Sequence, residues 1–224
     1  MSLVEIAGRI CADADAIAKP VGFYAIYDRY FGEFSGLPIK MLELGVYTGK
    51  SLKVWASYFP QGTIIGLDLG ESPDFSDYPN IIFERGDQTD SERLREICLT
   101  HAAGGLDIVL DDASHVGQYS AASYRALFPY LKPGGLYIIE DWGTGYLDDW
   151  PDGAHFQKFQ SEAVGGQIPM RIASHDFGMV GFVKSLIDQV AGDHVKPTLH
   201  GIPSQSDTLS FIHIYKQTAI IRKA

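Results

Sequence analysis

The sequence predicts an α/β fold: one doubly wound, mostly parallel, seven-stranded sheet with helices on both faces, finished by a C-terminal antiparallel hairpin. Three observations carry this expectation. Five short apolar runs alternate with helical patterns between residues 39 and 139. Such runs mark strands buried on both faces, and their alternation with helices implies parallel pairing through right-handed crossovers. Two further strand patterns, over 207–215 and 218–223, are joined by a turn short enough to force antiparallel pairing. The 224 residues, 46% hydrophobic and 21% charged, suit one domain with a sizeable core. No linker or repeat divides them, so 1–224 reads as a single unit.

The elements follow in order. Residues 1–38 form a helical segment, because Ile6, Ile10 and Ile17, then Phe23, Ile26, Tyr27, Tyr30 and Phe31, recur at helical spacing on either side of Lys19-Pro20-Val21-Gly22. The five strands are expected over 39–44, 63–67, 81–84, 107–110 and 136–139. Between them lie helices over 51–58, over 90–101 with Thr89-Asp90-Ser91-Glu92 as a capping box, and over 119–131. The last of these is stopped by Lys132-Pro133-Gly134-Gly135. An amphipathic helix is expected over 178–190. The Gly- and Pro-bearing stretch 143–179 is the expected cover of a site.

Composition excludes several classes. Lys plus Arg is 18 against 28 Asp plus Glu, a net charge of −10, so polyanions such as nucleic acids and anionic membranes are not expected partners. Cys11 and Cys98 stand far apart with no C-x-x-C, which leaves neither a disulfide scaffold nor a structural zinc site. No apolar run approaches the ~18–20 residues of a membrane span, and no basic-then-apolar leader is seen. The expectation is a soluble, cytoplasmic protein.

The chain from Met41 to Ser51, MLELGVYTGKS, joins the first strand to a helix. A phosphate-binding P-loop needs four residues between its glycines, and Gly45 to Gly49 leaves three. The dinucleotide fingerprint also fails, because Tyr47 stands where its second glycine belongs. What remains is E-x-G-x-x-x-G at a strand end, with Asp68 ending the next strand and Asp87-Gln88 the third. This resembles the class I S-adenosylmethionine (SAM)-dependent methyltransferases, whose fold is Rossmann-like. Glycines let the backbone approach a ligand without phosphates, and an acid one strand over can take both ribose hydroxyls. The resemblance implies cofactor contacts at Glu43, Gly45, Thr48, Gly49, Ser51, Asp68, Asp87, Gln88 and Asp111, the residues at 87 and 88 lying where such enzymes hold the adenine.

The fourth strand ends in Asp111-Asp112 and the fifth in Glu140-Asp141. In a parallel sheet both pairs reach the carboxyl edge, ~5 Å apart if the strands are neighbours. Four carboxylates at that range repel unless protonated, paired or bridged by a cation. Neither segment holds a Lys or Arg. Oxygen ligands favour Mg²⁺ first, then Mn²⁺ or Ca²⁺. His115, three residues after Asp112, would face the same ion if a helix begins there.

The run Asp112-x-x-His115, followed by PGGLYIIED from Pro133 to Asp141, is similar to the metal-dependent sugar O-methyltransferases of macrolide and rhamnosyl natural products and to their relatives in the cephalosporin hydroxylase family. The similarity extends through Tyr24-x-x-Tyr27, Leu42 to Ser51, Gly86 to Asp90 and the hairpin around Ile212 to Tyr215. It implies metal ligation by Asp112, Glu140 and Asp141, a general base at His115, and a small-molecule acceptor with adjacent hydroxyls. The chain departs at Ala18-Lys19-Pro20, where the family has Asp-Lys, and at Phe23, where a His is usual. Self-association is left open. A catechol-type O-methyltransferase, a hydroxylase-like protein and a non-catalytic SAM-binding module stay as alternatives.

Overall fold

The computed structural model describes residues 1–12, 19, 21–155, 175–191 and 209–224. The strands are β1 (Lys40–Leu44), β2 (Thr63–Asp68), β3 (Ile81–Arg85), β4 (Leu106–Asp111), β5 (Leu131–Glu140), β6 (Leu209–Ile214) and β7 (Thr218–Lys223). The helices are α1 (Leu3–Ile10), α2 (Val21–Phe31), α3 (Lys50–Tyr58), α4 (Ser91–His101), α5 (Gly117–Leu127) and α6 (Gly178–Ala191). One sheet runs β3-β2-β1-β4-β5-β7-β6. Its first five strands are parallel, and β7 lies antiparallel to both β5 and β6. The order reverses between β1 and β4, the position where an open α/β sheet parts its loops to admit a ligand.

The strand residues are apolar on both sides because both faces are covered. Met41, Ile64, Ile108, Leu110 and Ile138 pack in one cluster with Leu3, Tyr24, Tyr27, Phe31, Leu52 and Trp55 of α1, α2 and α3. Leu42, Leu44, Ile65, Leu67, Val109, Tyr137 and Ile139 pack in the other with Leu94, Ile97, Tyr124, Leu127, Val183 and Leu186 of α4, α5 and α6. The strictly alternating assignment of neighbouring strand residues to opposite clusters is the period of two made visible. It also sends Glu43 and Glu140 to the α2–α3 side, with consequences for the site.

Two boundaries differ from expectation. Residues 132–135 do not separate a helix from a strand: β5 begins at Leu131, which pairs with Leu106, and regular pairing resumes at Leu136 with Ile108. The Pro-Gly-Gly signal marks an irregularity inside the strand, and Lys132 pins it through its Nζ, 2.8 and 2.9 Å from the two Asp107 oxygens. Helix α5 stops at Leu127 and tightens into a 3₁₀ turn over Phe128–Tyr130. Phe128 keeps right-handed helical dihedrals, but Pro129 lacks the N–H a continuing α-helix needs. The α4 cap is Asp90, whose carboxylate accepts from the backbone N–H groups of Glu92 and Arg93. Both cysteines are free thiols. Of the expected cover over 143–179, residues 156–174 lie outside the described residues, as do 207 and 208 of the expected hairpin. Among the described residues no helix is long and apolar enough to cross a membrane.

Candidate active site

The turn after β1 is shaped by one contact. Gly45 has φ +87°, and a Cβ there would stand 2.3 Å from the carbonyl oxygen of Asp112, so only glycine lets the turns after β1 and β4 touch. Asp68, ending β2, holds the same turn: its Oδ2 accepts from Val46 N at 2.7 Å and Tyr47 N at 3.1 Å, and its Oδ1 from Gly70 N at 2.8 Å. Burial works against ionisation of Asp68. The N–H groups of Gly70, Val46, Tyr47 and Leu69 outweigh it and hold the carboxyl below its ordinary value. This acid, expected to face a ribose, first of all builds the loop.

A cavity of about 510 Å³ opens along the carboxyl edge of the sheet, from this loop to the ends of β4 and β5. Gly45, Thr48, Ser51, Asp68, Asp112, His115, Glu140 and Asp141 line it, so the structure brings together these eight sequence-derived candidates. Lys19, Phe23, Tyr24 and Gln217 line it as well. Glu43, Gly49, Asp87, Gln88 and Asp111 are not on its wall. Gly49, at φ +75°, packs where a Cβ would meet the Phe75 ring at 2.7 Å. Asp87 is exposed and accepts from Thr89 N and Oγ1. Gln88 is buried: it donates to Asp111 Oδ1 and accepts from Ser114 N, bracing the loop after β4 from behind. Asp111 follows Val109 onto the α4–α5 face, and burial, opposed by Ser120, pushes its pKa up to about 6.

At the β4–β5 end the carboxylates converge as the topology requires, β4 pairing directly with β5. His115 Nε2 stands 3.9 Å from Asp112 Oδ1 and 3.8 Å from Asp141 Oδ2. Ligand atoms of these three residues all lie within 4.8 Å of one another. His115 is not on a helical turn. It sits in the loop before α5 with φ +53°, its ring edge-on to Trp150 at 5.5 Å between centroids. Tyr47, His115 and Asp141 are the described non-glycine residues with positive φ, and all three line the cavity. Strained backbone of this kind persists where surrounding structure enforces it, and it clusters at functional sites.

The cation that sequence reasoning found missing comes from far upstream. Lys19 Nζ bonds Asp112 Oδ2 and Glu140 Oε2, the latter at 2.9 Å, and lies 3.4 Å from Glu43 Oε1. Burial alone would lower the lysine pKa. Glu140, Asp112 and Glu43 outweigh it and hold the ammonium well above its ordinary value. Burial likewise drives Glu140 above the carboxylate range, against the pull of Lys19, and pushes Glu43 up to about 7. Tyr27 donates to Glu140 Oε1 at 2.5 Å and Trp55 Nε1 to Glu43 Oε2 at 2.9 Å.

The donor set of Asp112, Asp141 and His115, with Glu140 adjoining, is mainly hard oxygen and fits a divalent ion such as Mg²⁺ or Mn²⁺. Each Glu140 oxygen already has a partner, Tyr27 on one side and Lys19 on the other.

No family model matches the chain. It is 34% identical over 205 residues to mycinamicin VI 2''-O-methyltransferase of Micromonospora griseorubida, covering 88% of this chain and 47% of that protein. It is 33% identical over 205 residues to demethylmacrocin O-methyltransferase of Streptomyces fradiae, again covering 88% of this chain and 47% of that protein. The chain thus spans about half the length of the curated relatives it matches. Among solved structures, the MycE methyltransferase of the mycinamycin pathway, in complex with Mg, SAH (S-adenosylhomocysteine) and mycinamycin VI, superposes with a TM-score of 0.73 at 30% identity. That match covers 100% of this chain and 55% of MycE. A putative caffeoyl-CoA O-methyltransferase from Staphylococcus aureus shares the fold, with a TM-score of 0.56 at 13% identity. The chain has the fold of the class I methyltransferases and is similar, over about half their length, to sugar O-methyltransferases of natural-product pathways.

Proposed function

We infer that the protein is a SAM-dependent, divalent-metal-dependent O-methyltransferase acting on one of two adjacent hydroxyls of a small molecule, a sugar moiety of a natural product. One observation carries the reading: a single cavity joins the glycine loop to the carboxylate cluster, so a methyl donor and a metal-held acceptor would meet inside it. Relatives named for methylation of rhamnosyl tetracenomycin-C, 30–32% identical to this chain, favour a sugar acceptor. A small-molecule acceptor and a cytoplasmic setting belong to the same reading.

In this scheme Gly45, Thr48, Ser51 and Asp68 would bind SAM, with Gly45 keeping the turns after β1 and β4 in contact beside it. Asp112, Glu140 and Asp141 hold the ion, which when bound supplies Lewis acidity that lowers the acceptor hydroxyl's pKa. His115 Nε2 would take the acceptor hydroxyl's proton as that oxygen accepts the methyl group SAM would supply. The ring's edge-on contact with Trp150 and its enforced backbone fix its direction. The remaining acceleration comes from holding nucleophile, methyl and sulfonium in line.

The experiment is transfer of a labelled methyl group from SAM to a panel of rhamnosyl glycosides, macrolide glycosides and catechols in Mg²⁺. Label on a glycoside, removed by chelation and restored by Mg²⁺, is the expected result. Label on catechols alone would replace the sugar reading with the catechol one. Label insensitive to exhaustive chelation would overturn metal dependence.

A further inference from the structure

Lys19 is buried against three carboxylates from three different strands: Glu43 of β1, Asp112 at the end of β4 and Glu140 of β5. With its Nζ there, Asp112 Oδ1, Asp141 Oδ2 and His115 Nε2 still lie close enough together to share a divalent ion, whereas the ammonium on Glu140 Oε2 repels a second cation from that carboxylate. An imidazole that ligates an ion through Nε2 has no lone pair left on that atom to accept a proton. The two roles therefore exclude one another: Lys19 on Glu140 leaves His115 as a ligand, whereas Lys19 elsewhere leaves Glu140 as a ligand and His115 as a base. A second position for the ammonium is at hand. Glu43 Oε1 is buried without a hydrogen-bond partner and lies 3.4 Å from Nζ. Lys19 precedes α2 outside any helix or strand, and its four-carbon stem can swing over that distance.

We propose that Lys19 is a resident cation of the metal-free site, which moves from Asp112 and Glu140 onto Glu43 when the divalent ion binds and thereby decides whether His115 is a ligand or a base. The proposal rests on the metal-dependent reading above. It makes Lys19 a positioning residue, acting through Glu140, and makes ion and lysine competitors for the same oxygens.

The test is a Mn²⁺ titration followed by electron paramagnetic resonance on wild type, Lys19→Met and, as a control on the ligands, Asp141→Asn. It is paired with a crystal structure of the Mn²⁺-loaded wild type. Lys19→Met should bind Mn²⁺ at least tenfold more tightly, because no ammonium has to be displaced, and Asp141→Asn more weakly. In the loaded crystal Glu140 should touch the ion and Lys19 Nζ should lie on Glu43. Should Lys19→Met not fold, Lys19→Gln keeps the titration available and the crystal decides unaided. Wild type that binds Mn²⁺ with Lys19 still on Glu140 and His115 ligating, or an unchanged affinity in the lysine variants, would overturn the proposal while leaving the metal reading intact. Absence of stoichiometric Mn²⁺ in wild type would overturn both.

Discussion

On the β1–β2 side of the cavity, Asp68 spends its carboxylate on backbone N–H groups and Gly45 presses against the Asp112 carbonyl. On the β4–β5 side, Asp112 and Glu140 share a lysine and Glu140 takes a tyrosine hydroxyl besides. The first region is a shape made by main chain, already satisfied and indifferent to what else is bound. The second is a concentration of charge that needs a cation to exist. Substitutions should break the first through sterics and the second through charge, and damage by charge should stay on its own side.

The largest effect is expected at Gly45. Gly45→Ala adds a Cβ 2.3 Å from a carbonyl oxygen at a φ of +87°. Strain and overlap together should cost more than ~3 kcal/mol, with SAH binding lost. Urea unfolding with and without SAH measures both, and a variant as stable as wild type would break the claim that this turn is sterically fixed. Next comes Asp112→Asn, which should lose methyl transfer by ~10³-fold or more, the several kcal/mol a Lewis acid supplies. SAH affinity in this variant should stay within about threefold, and a loss of SAH binding comparable to the loss of rate would mean the halves are not separable.

His115→Ala is expected to lower kcat by roughly 10²–10⁴ with SAH still bound. His115→Gln should not restore it, since an amide accepts no proton. Single-turnover rates within threefold of wild type would remove the base role. The smallest effect belongs to Asp68→Asn, which should weaken SAH about tenfold, the worth of one charge-assisted hydrogen bond, without moving Mn²⁺ affinity. The same residue gives a pH signature. Its carboxyl is held below the ordinary value in the fold, so its stabilising contribution is complete above about pH 4, the unfolded value, and fades as pH falls through the folded one. Wild type and Asp68→Asn should therefore differ in thermal midpoint at neutral pH and approach each other only below pH 4.

The sheet was legible because double-sided burial writes continuous apolar runs, and because Gly and Pro punctuate them. The acids at the ends of β4 and β5 were legible for a related reason: parallel strands end on one edge, so Asp112 meets Glu140 and Asp141, although alternation removes Asp111 from the cluster. Lys19 was not. It stands 93 residues before Asp112, and no spacing rule links an ammonium ahead of one helix to a carboxylate on the fourth strand. The signal available was a deficit, four acids without a cation, together with the fact that Lys19 is the only lysine before β1. Tyr27 and Trp150 escaped similarly, since their partners are fixed by tertiary packing. Gln88 and Asp111 were read as cofactor contacts, but side-chain alternation turns Asp111 to the sheet's α4–α5 face, where Gln88 meets it. His115 kept its place near Asp112 for a different reason than helical spacing, a loop with positive φ.

Calorimetric titration of SAH into exhaustively chelated protein, repeated after loading with Mn²⁺, tests the division of the cavity most directly. The account predicts one SAH per chain in both states, with dissociation constants within about threefold, because the β1–β2 half is complete in its own backbone. SAH that binds only after Mn²⁺ is added would contradict it.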